Sequence, residues 1–184
     1  MNSVDRLLQA WRQRQALSWI PDGARVLDVG CFDGTLFRKL GTRLGYGVGI
    51  EPLLGEPERT SRYELLPGEF PDGLPPTEPF DVIAALAVLE HVPAAELARW
   101  AAACRDHLRP GGRVVATMPA AVVDSILHCL VRLRVLHGME TEQHHGLDPA
   151  DVVRAFETAG FTLVHWSRFQ LGMNNLLVLE TRTT

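Results

Sequence analysis

Lysine is almost missing from this 184-residue chain: Lys39 is the only one, so arginine carries the remaining positive charge and the formal net charge is −4. Such a composition points to a GC-rich bacterial genome. No stripe of clustered Lys and Arg with interleaved aromatics appears, and without one a nucleic-acid partner is not expected. Cysteine is scarce too. Cys31, Cys104 and Cys129 are widely spaced and form no C-x-x-C, which argues against a disulfide framework and against a zinc site, so no metal is expected. No uncharged run reaches the ~18 residues that a membrane span needs, and no apolar segment of the signal-peptide kind follows the start. These absences predict a cytoplasmic chain without a membrane partner.

Apolar residues make up 46% of the sequence, enough to bury the core of one domain spanning 1–184. Within it, Val26-Leu27-Asp28-Val29-Gly30-Cys31-Phe32-Asp33-Gly34-Thr35-Leu36 reads as an apolar strand that ends in glycines and passes into a helix. This is the pattern of a nucleotide-cofactor site. Gly30 and Gly34 permit a sharp turn and close approach to a ligand, and the helix starting near Thr35 aims its free N–H groups at it. Glu51 follows a second strand-like run, Gly47-Val48-Gly49-Ile50, where such folds place the carboxylate that takes hydrogen bonds from the ribose hydroxyls. A dinucleotide site would want G-x-G-x-x-G. Phe32 and Thr35 stand where two of those glycines belong, which disfavours an NAD(P)-dependent oxidoreductase.

The loop resembles motif I of the class I S-adenosylmethionine-dependent methyltransferases, matched at Asp28, Gly30 and Gly34 and departing at Phe32, which is expected to narrow the cofactor path. Three further segments are similar to the same family in the same order. Phe80-Asp81-Val82-Ile83 through Leu89-Glu90-His91-Val92 looks like its fourth strand and the turn after it. Leu108-Arg109-Pro110-Gly111-Gly112 looks like its turn into strand five, with proline presetting the turn and both glycines supplying positive φ. Ala159-Gly160-Phe161 looks like the entry to its last hairpin. The resemblance covers roughly residues 23 to 181. It implies a Rossmann-like, doubly wound α/β fold with a mostly parallel seven-stranded sheet and a C-terminal antiparallel hairpin. It also implies S-adenosylmethionine as cofactor and methyl transfer to a small-molecule substrate, O-methylation being the commonest outcome. An inactive cofactor-binding partner subunit is the alternative. By the same resemblance Asp28 reaches the cofactor's ammonium, and Gly30, Cys31, Phe32, Asp33 and Gly34 form the cradle. Glu51 and Pro52 meet the ribose, Glu69 the adenine amino group, Phe70 the adenine ring, and the backbone at Leu86 lies beneath.

Alternation of strand and helix supports this architecture independently. Helices are expected over 3–19 (an N-terminal segment ending by residue 22), 35–43, 94–107 and 149–159, with Asp148 as N-cap and Pro149 at the first helical position. Strands are expected near 25–29, 46–50, 62–66, 80–85 and 113–117, then a hairpin at 161–165 and 176–180. Residues 120–146 read as an insertion with an apolar helix followed by the polar Glu140-Thr141-Glu142-Gln143-His144-His145-Gly146. The helix serves as a cap over the substrate or as a homodimer surface. Transfer to an atom that must lose a proton favours a histidine base, its pKa being near ~6.5. His144 or His145 is the first choice, since adjacent side chains on an extended loop point opposite ways. His91 is either a base or a buried structural histidine. The Asp/Asn-Pro-Pro-Tyr/Phe tetrapeptide that grips planar nitrogens in related amino-methyltransferases is missing after strand four, where Ala84-Ala85-Leu86-Ala87 stands.

Overall fold

Alternate residues of the first strand bury themselves in opposite directions, and this decides the layering. The computed structural model describes residues 3–120 and 147–182. In β1 (Ala24–Val29), Val26 packs in one apolar cluster and Leu27 and Val29 in another, so the strand is covered on both faces as a parallel interior strand must be. One cluster gathers Leu27, Ile50 and Ile83 with Trp100 of α3 (Leu97–Asp106) and Phe156 of α4 (Pro149–Thr158). The other gathers Val26, Val82 and Val115 with Phe37 of α2 (Thr35–Leu40) and Ala16 of α1 (Ser3–Leu17).

The remaining strands are β2 (Leu44–Glu51), β3 (Glu58–Arg59), β4 (Tyr63–Pro67), β5 (Phe80–Leu86), β6 (Leu108–Pro119), β7 (Phe161–Phe169) and β8 (Asn174–Thr181). They form one sheet in the order β3-β4-β2-β1-β5-β6-β8-β7. The strands β4, β2, β1, β5 and β6 run parallel, while β8 is antiparallel to both β6 and β7. This is the Rossmann-like, mostly parallel sheet with its C-terminal hairpin, and among the described residues it has eight strands instead of seven. The extra one, β3, is two exposed residues pairing antiparallel with β4 at the sheet edge, too short to leave a periodic signal.

Boundaries moved where the chain turns. α2 stops at Leu40 because Gly41 turns to φ 54°, and Gly41–Arg43 form a single 3-10 turn. Helix α3 starts at Leu97, after a turn from Pro93. Strand β6 begins at Leu108, absorbing the proline-glycine turn as a bulge between the Phe80–Leu108 and Val82–Arg113 pairs. There only Gly111 takes the left-handed conformation, at φ 74°. Gly112 is needed for space instead: a Cβ on it would meet the Arg109 carbonyl at 2.8 Å. The Asp148 carboxylate does cap α4, accepting from the Ala150 N–H at 2.9 Å, with Pro149 following. Among the described residues no helix is long and apolar enough to cross a membrane. The insertion at 120–146, with His144 and His145, lies outside the described residues apart from Ala120.

Candidate cofactor cleft

Connections leave the adjacent strands β1 and β5 in opposite directions, toward β2 on one side and β6 on the other, and open a crevice beyond their carboxyl ends. The glycine loop lies there. Gly30, at φ 71°, donates its N–H to the Ile50 carbonyl at 2.9 Å, tying the end of β1 to the end of β2. Gly34, at φ 73°, donates to the Cys31 carbonyl at 2.9 Å and starts α2. Phe32 also has positive φ, 50°, though it is not glycine.

Glu51 holds this loop by both of its oxygens. Oε2 accepts the Phe32 N–H at 3.1 Å and Oε1 accepts the Leu53 N–H at 3.0 Å. A carboxylate has about four lone-pair positions, so two bonds leave acceptor capacity for a diol. Glu51 is buried, as is Asp28 one strand away. Burial, then the charges of Glu51 and Asp33, push the Asp28 carboxyl up from 3.8 to about 8. It therefore retains its proton at neutral pH until a cation arrives. Burial, then the charges of Asp28, Glu51 and Asp33, push Cys31 up, so its thiol stays protonated. Its sulfur packs over Gly49, where a Cβ would meet Sγ at 2.6 Å.

Asp33 serves the helix instead of the cleft. It accepts from the Thr35 N–H at 3.0 Å, from Thr35 Oγ1 at 2.5 Å and from Arg38 Nη2 at 2.8 Å. Partial burial opposes ionisation, but the bonds from Thr35 and Arg38 outweigh it and hold this carboxyl below its usual value.

Two cavities flank Gly30 and share it with Ala87 and His91. The larger, about 1210 Å³, is lined by Glu51, Pro52, Glu69 and Phe70 among others. Phe70 is held there by Trp100, edge-on at 4.8 Å between ring centres. The smaller, about 400 Å³, is lined by Asp28, Cys31, Leu86 and His91, and by three α1 residues, Gln9, Arg12 and Gln13. Ala87, which lines both cavities, is in a left-handed conformation, φ 62°, with its N–H donating to the Thr117 carbonyl at 2.9 Å.

The expected residues therefore divide. Asp28, Gly30, Cys31, Glu51, Pro52, Glu69, Phe70, Leu86 and His91 line the cavities; Phe32, Asp33 and Gly34 line neither. Phe32 is half-exposed with a positive φ and is not among the residues that line either cavity. His91 is exposed and not a buried structural histidine. Gln9, Arg12 and Gln13 were not anticipated. Their i, i+3, i+4 spacing marks a polar helix face, but nothing local says which face of α1 meets a cleft.

Residues 2–166 match the family model described as a methyltransferase domain. The ubiquinone biosynthesis O-methyltransferase of Nitrosococcus oceani is 31% identical over 173 residues, covering 82% of this chain and 72% of that protein. The protein of the same name from Aeromonas salmonicida is 28% identical over 187 residues, covering 86% and 77%. Among solved structures, the magnesium protoporphyrin IX methyltransferase of Synechocystis with bound S-adenosylhomocysteine superposes with a TM-score of 0.70 at 15% identity, covering 98% of this chain and 88% of that one. At that identity the likeness concerns the fold.

Proposed function

We propose, from the premise that this chain belongs to the class I S-adenosylmethionine-dependent methyltransferases, that it methylates a hydroxyl group of a small molecule. The observation that carries the reading is the pair of cavities meeting at Gly30, one lined by Glu51 and the other by Asp28 and His91. The relatives named as ubiquinone biosynthesis O-methyltransferases favour oxygen as the acceptor atom and an aromatic hydroxyl as the class to try first.

The residues present fit the cofactor. Gly30 borders both cavities, and Asp28, which lines the smaller one, is a buried acid without a charge partner of opposite sign among the groups that set its pKa. In this reading Glu51 takes the ribose hydroxyls, Glu69 and Phe70 border the adenine, and Asp28 takes the ammonium. Arg12, the cation lining the smaller cavity, takes the carboxylate. When bound, S-adenosylmethionine supplies a methyl group on a sulfonium, ready for in-line displacement. The chain's part is alignment, which can contribute ~7–11 kcal/mol of the barrier. His91, on the wall shared by both cavities, accepts the acceptor hydroxyl's proton.

The test is methyl transfer to phenolic acceptors, followed by mass spectrometry, in the native protein and in His91→Ala. The native protein is expected to form methyl ethers, and the variant to turn over ~10²-fold more slowly with S-adenosylhomocysteine affinity intact. Methylation of amines but not hydroxyls would refute the reading, and unchanged turnover would remove His91 from it.

Asp28 makes cofactor binding pH-dependent. Its folded value lies above the ordinary 3.8, so the contribution of this group to the stability of the ligand-free fold is present below that value and is lost as pH rises through about 8. Binding runs the other way, because a cation prefers the ionised acid. Affinity for S-adenosylmethionine is expected to rise by up to ~10-fold per pH unit from pH 6 toward 8 and then level, and Asp28→Asn is expected to flatten this limb. Calorimetric titration across pH measures it; equal slopes in both proteins would assign the limb elsewhere.

A further inference from the structure

Helix α1 brings Arg12 to the smaller cavity, and a buried glutamine from the hairpin at the sheet edge holds that helix. Gln170 stands in the turn between β7 and β8 and is 2% exposed. Both ends of its carboxamide are used: Nε2 donates to the Leu8 carbonyl of α1 at 3.2 Å, and Oε1 accepts from Asn174 Nδ2 at 2.5 Å. Leu8 and Arg12 lie four residues apart in one helix, so Gln170 reaches the very carbonyl that α-helical pairing assigns to the Arg12 N–H. A carbonyl oxygen has two lone pairs and can take both donors. The turn itself is costly. Gln170, Leu171 and Gly172 are all left-handed, at φ 52°, 57° and 84°, and two of them are not glycine. Such a conformation persists where surrounding contacts over-determine it. The same hairpin also holds the end of β6, where the Met173 carbonyl accepts the Ala120 N–H at 2.9 Å and Asn175 Nδ2 donates to the Pro119 carbonyl at 3.4 Å. Pro119, like Arg12, lines the smaller cavity.

From this we infer that Gln170 is a positioning residue for the cofactor: by tethering the Leu8 carbonyl it sets where Arg12 stands, and so how tightly the chain holds the carboxylate end of S-adenosylmethionine. The apolar anchor of α1, Ala16, is packed in the core four residues beyond Arg12, and Trp19 lies against His165 of β7 with ring centres 4.8 Å apart. Without a hold on the Leu8 side the helix can pivot about that anchor and carry Arg12 away. With it, Arg12 sits between two fixed points, each about 6 Å distant along the helix axis. The inference rests on the reading above in which Arg12 takes the cofactor's carboxylate.

S-adenosylhomocysteine and 5′-methylthioadenosine serve as probes, since both carry the adenine and ribose and only the first carries the carboxylate. Gln170→Gly removes the carboxamide and suits the left-handed backbone, so the turn keeps its shape. Gln170→Glu keeps the length but offers the Leu8 carbonyl no donor. Calorimetry is expected to show each variant binding S-adenosylhomocysteine about fivefold more weakly and 5′-methylthioadenosine within about twofold of native. Arg12→Ala should show the same selective loss. Adding Gln170→Gly to Arg12→Ala should cost less than about a further twofold, because a tether acts only through the side chain it places. Equal loss of both probes, as a loosened fold would give, losses that add in the double variant, or native affinity in the Gln170 variants would each overturn the inference. Arg12→Ala binding both probes as tightly as the native protein would refute the carboxylate reading of Arg12 itself, and this inference with it.

Discussion

Replacing Gly30 with valine is expected to weaken S-adenosylhomocysteine binding by roughly 30-fold or more in a protein that still folds. Gly30 sits at φ 71°, where a branched side chain is strained by ~1–2 kcal/mol, and its new Cβ would lie 2.8 Å from Val88 Cγ2. Overpacking of that kind costs a further ~1–3 kcal/mol. A backbone shift that relieved them would open the Gly30 N–H bond to Ile50, and that bond ties the ends of β1 and β2 beside both cavities. At ~1.4 kcal/mol per tenfold, the combined cost weakens binding roughly 30-fold to several thousandfold. Gly30→Ala keeps the φ strain without the branch and should fall between the two. Calorimetry with S-adenosylhomocysteine reads affinity, and circular dichroism reads the fold. Valine accepted with affinity within about threefold of native would mean that the cofactor lies elsewhere.

Removing the Glu51 side chain is expected to weaken cofactor binding by well over tenfold for two separate reasons. Charge-assisted hydrogen bonds to a diol are worth ~1.5–3 kcal/mol each, and Glu51→Ala deletes their acceptor. The same change strands the Phe32 and Leu53 N–H groups, which Glu51 now fixes at 3.1 and 3.0 Å, so the glycine loop loosens as well. Glu51→Gln separates the causes: it keeps one carbonyl acceptor and the shape but removes the charge. That charge also helps to push Asp28 up to about 8, so in Glu51→Gln the pH limb of binding should move toward lower pH. A limb that stays in place would show that burial and Asp33, without Glu51, set Asp28. Affinity unchanged in Glu51→Ala would take the ribose away from the end of β2.

Most of the sheet was legible because a strand covered on both faces needs a short apolar run bounded by turn residues, and Val26-Leu27 and Val82-Ile83 carry that signal within a few residues. Asp28, Gly30 and Glu51 were legible for a related reason. In a parallel β-α-β unit the chain's own connection fixes where the first strand's end lies relative to the second's. The two-residue β3 and the bulge at Arg109–Gly112 left no comparable pattern, since pairing across the sheet and not local period creates them. Asp33 looked like part of the cradle by its place between glycines, but its hydrogen bonds to Thr35 and Arg38 turn it toward the helix.

What the sequence determined by itself is therefore the element types, the glycine loop and the two carboxylates at the ends of β1 and β2, all set by interactions among neighbours in the chain or within one supersecondary unit. Only the tertiary structure decided that α1 brings Arg12 and Gln13 to the smaller cavity, that β8 inserts between β6 and β7, and that His91 stands on the wall common to both cavities. Those placements come from packing between segments far apart in the chain, and the local spacing of residues along one helix carries no information about which of its faces a distant strand end will meet.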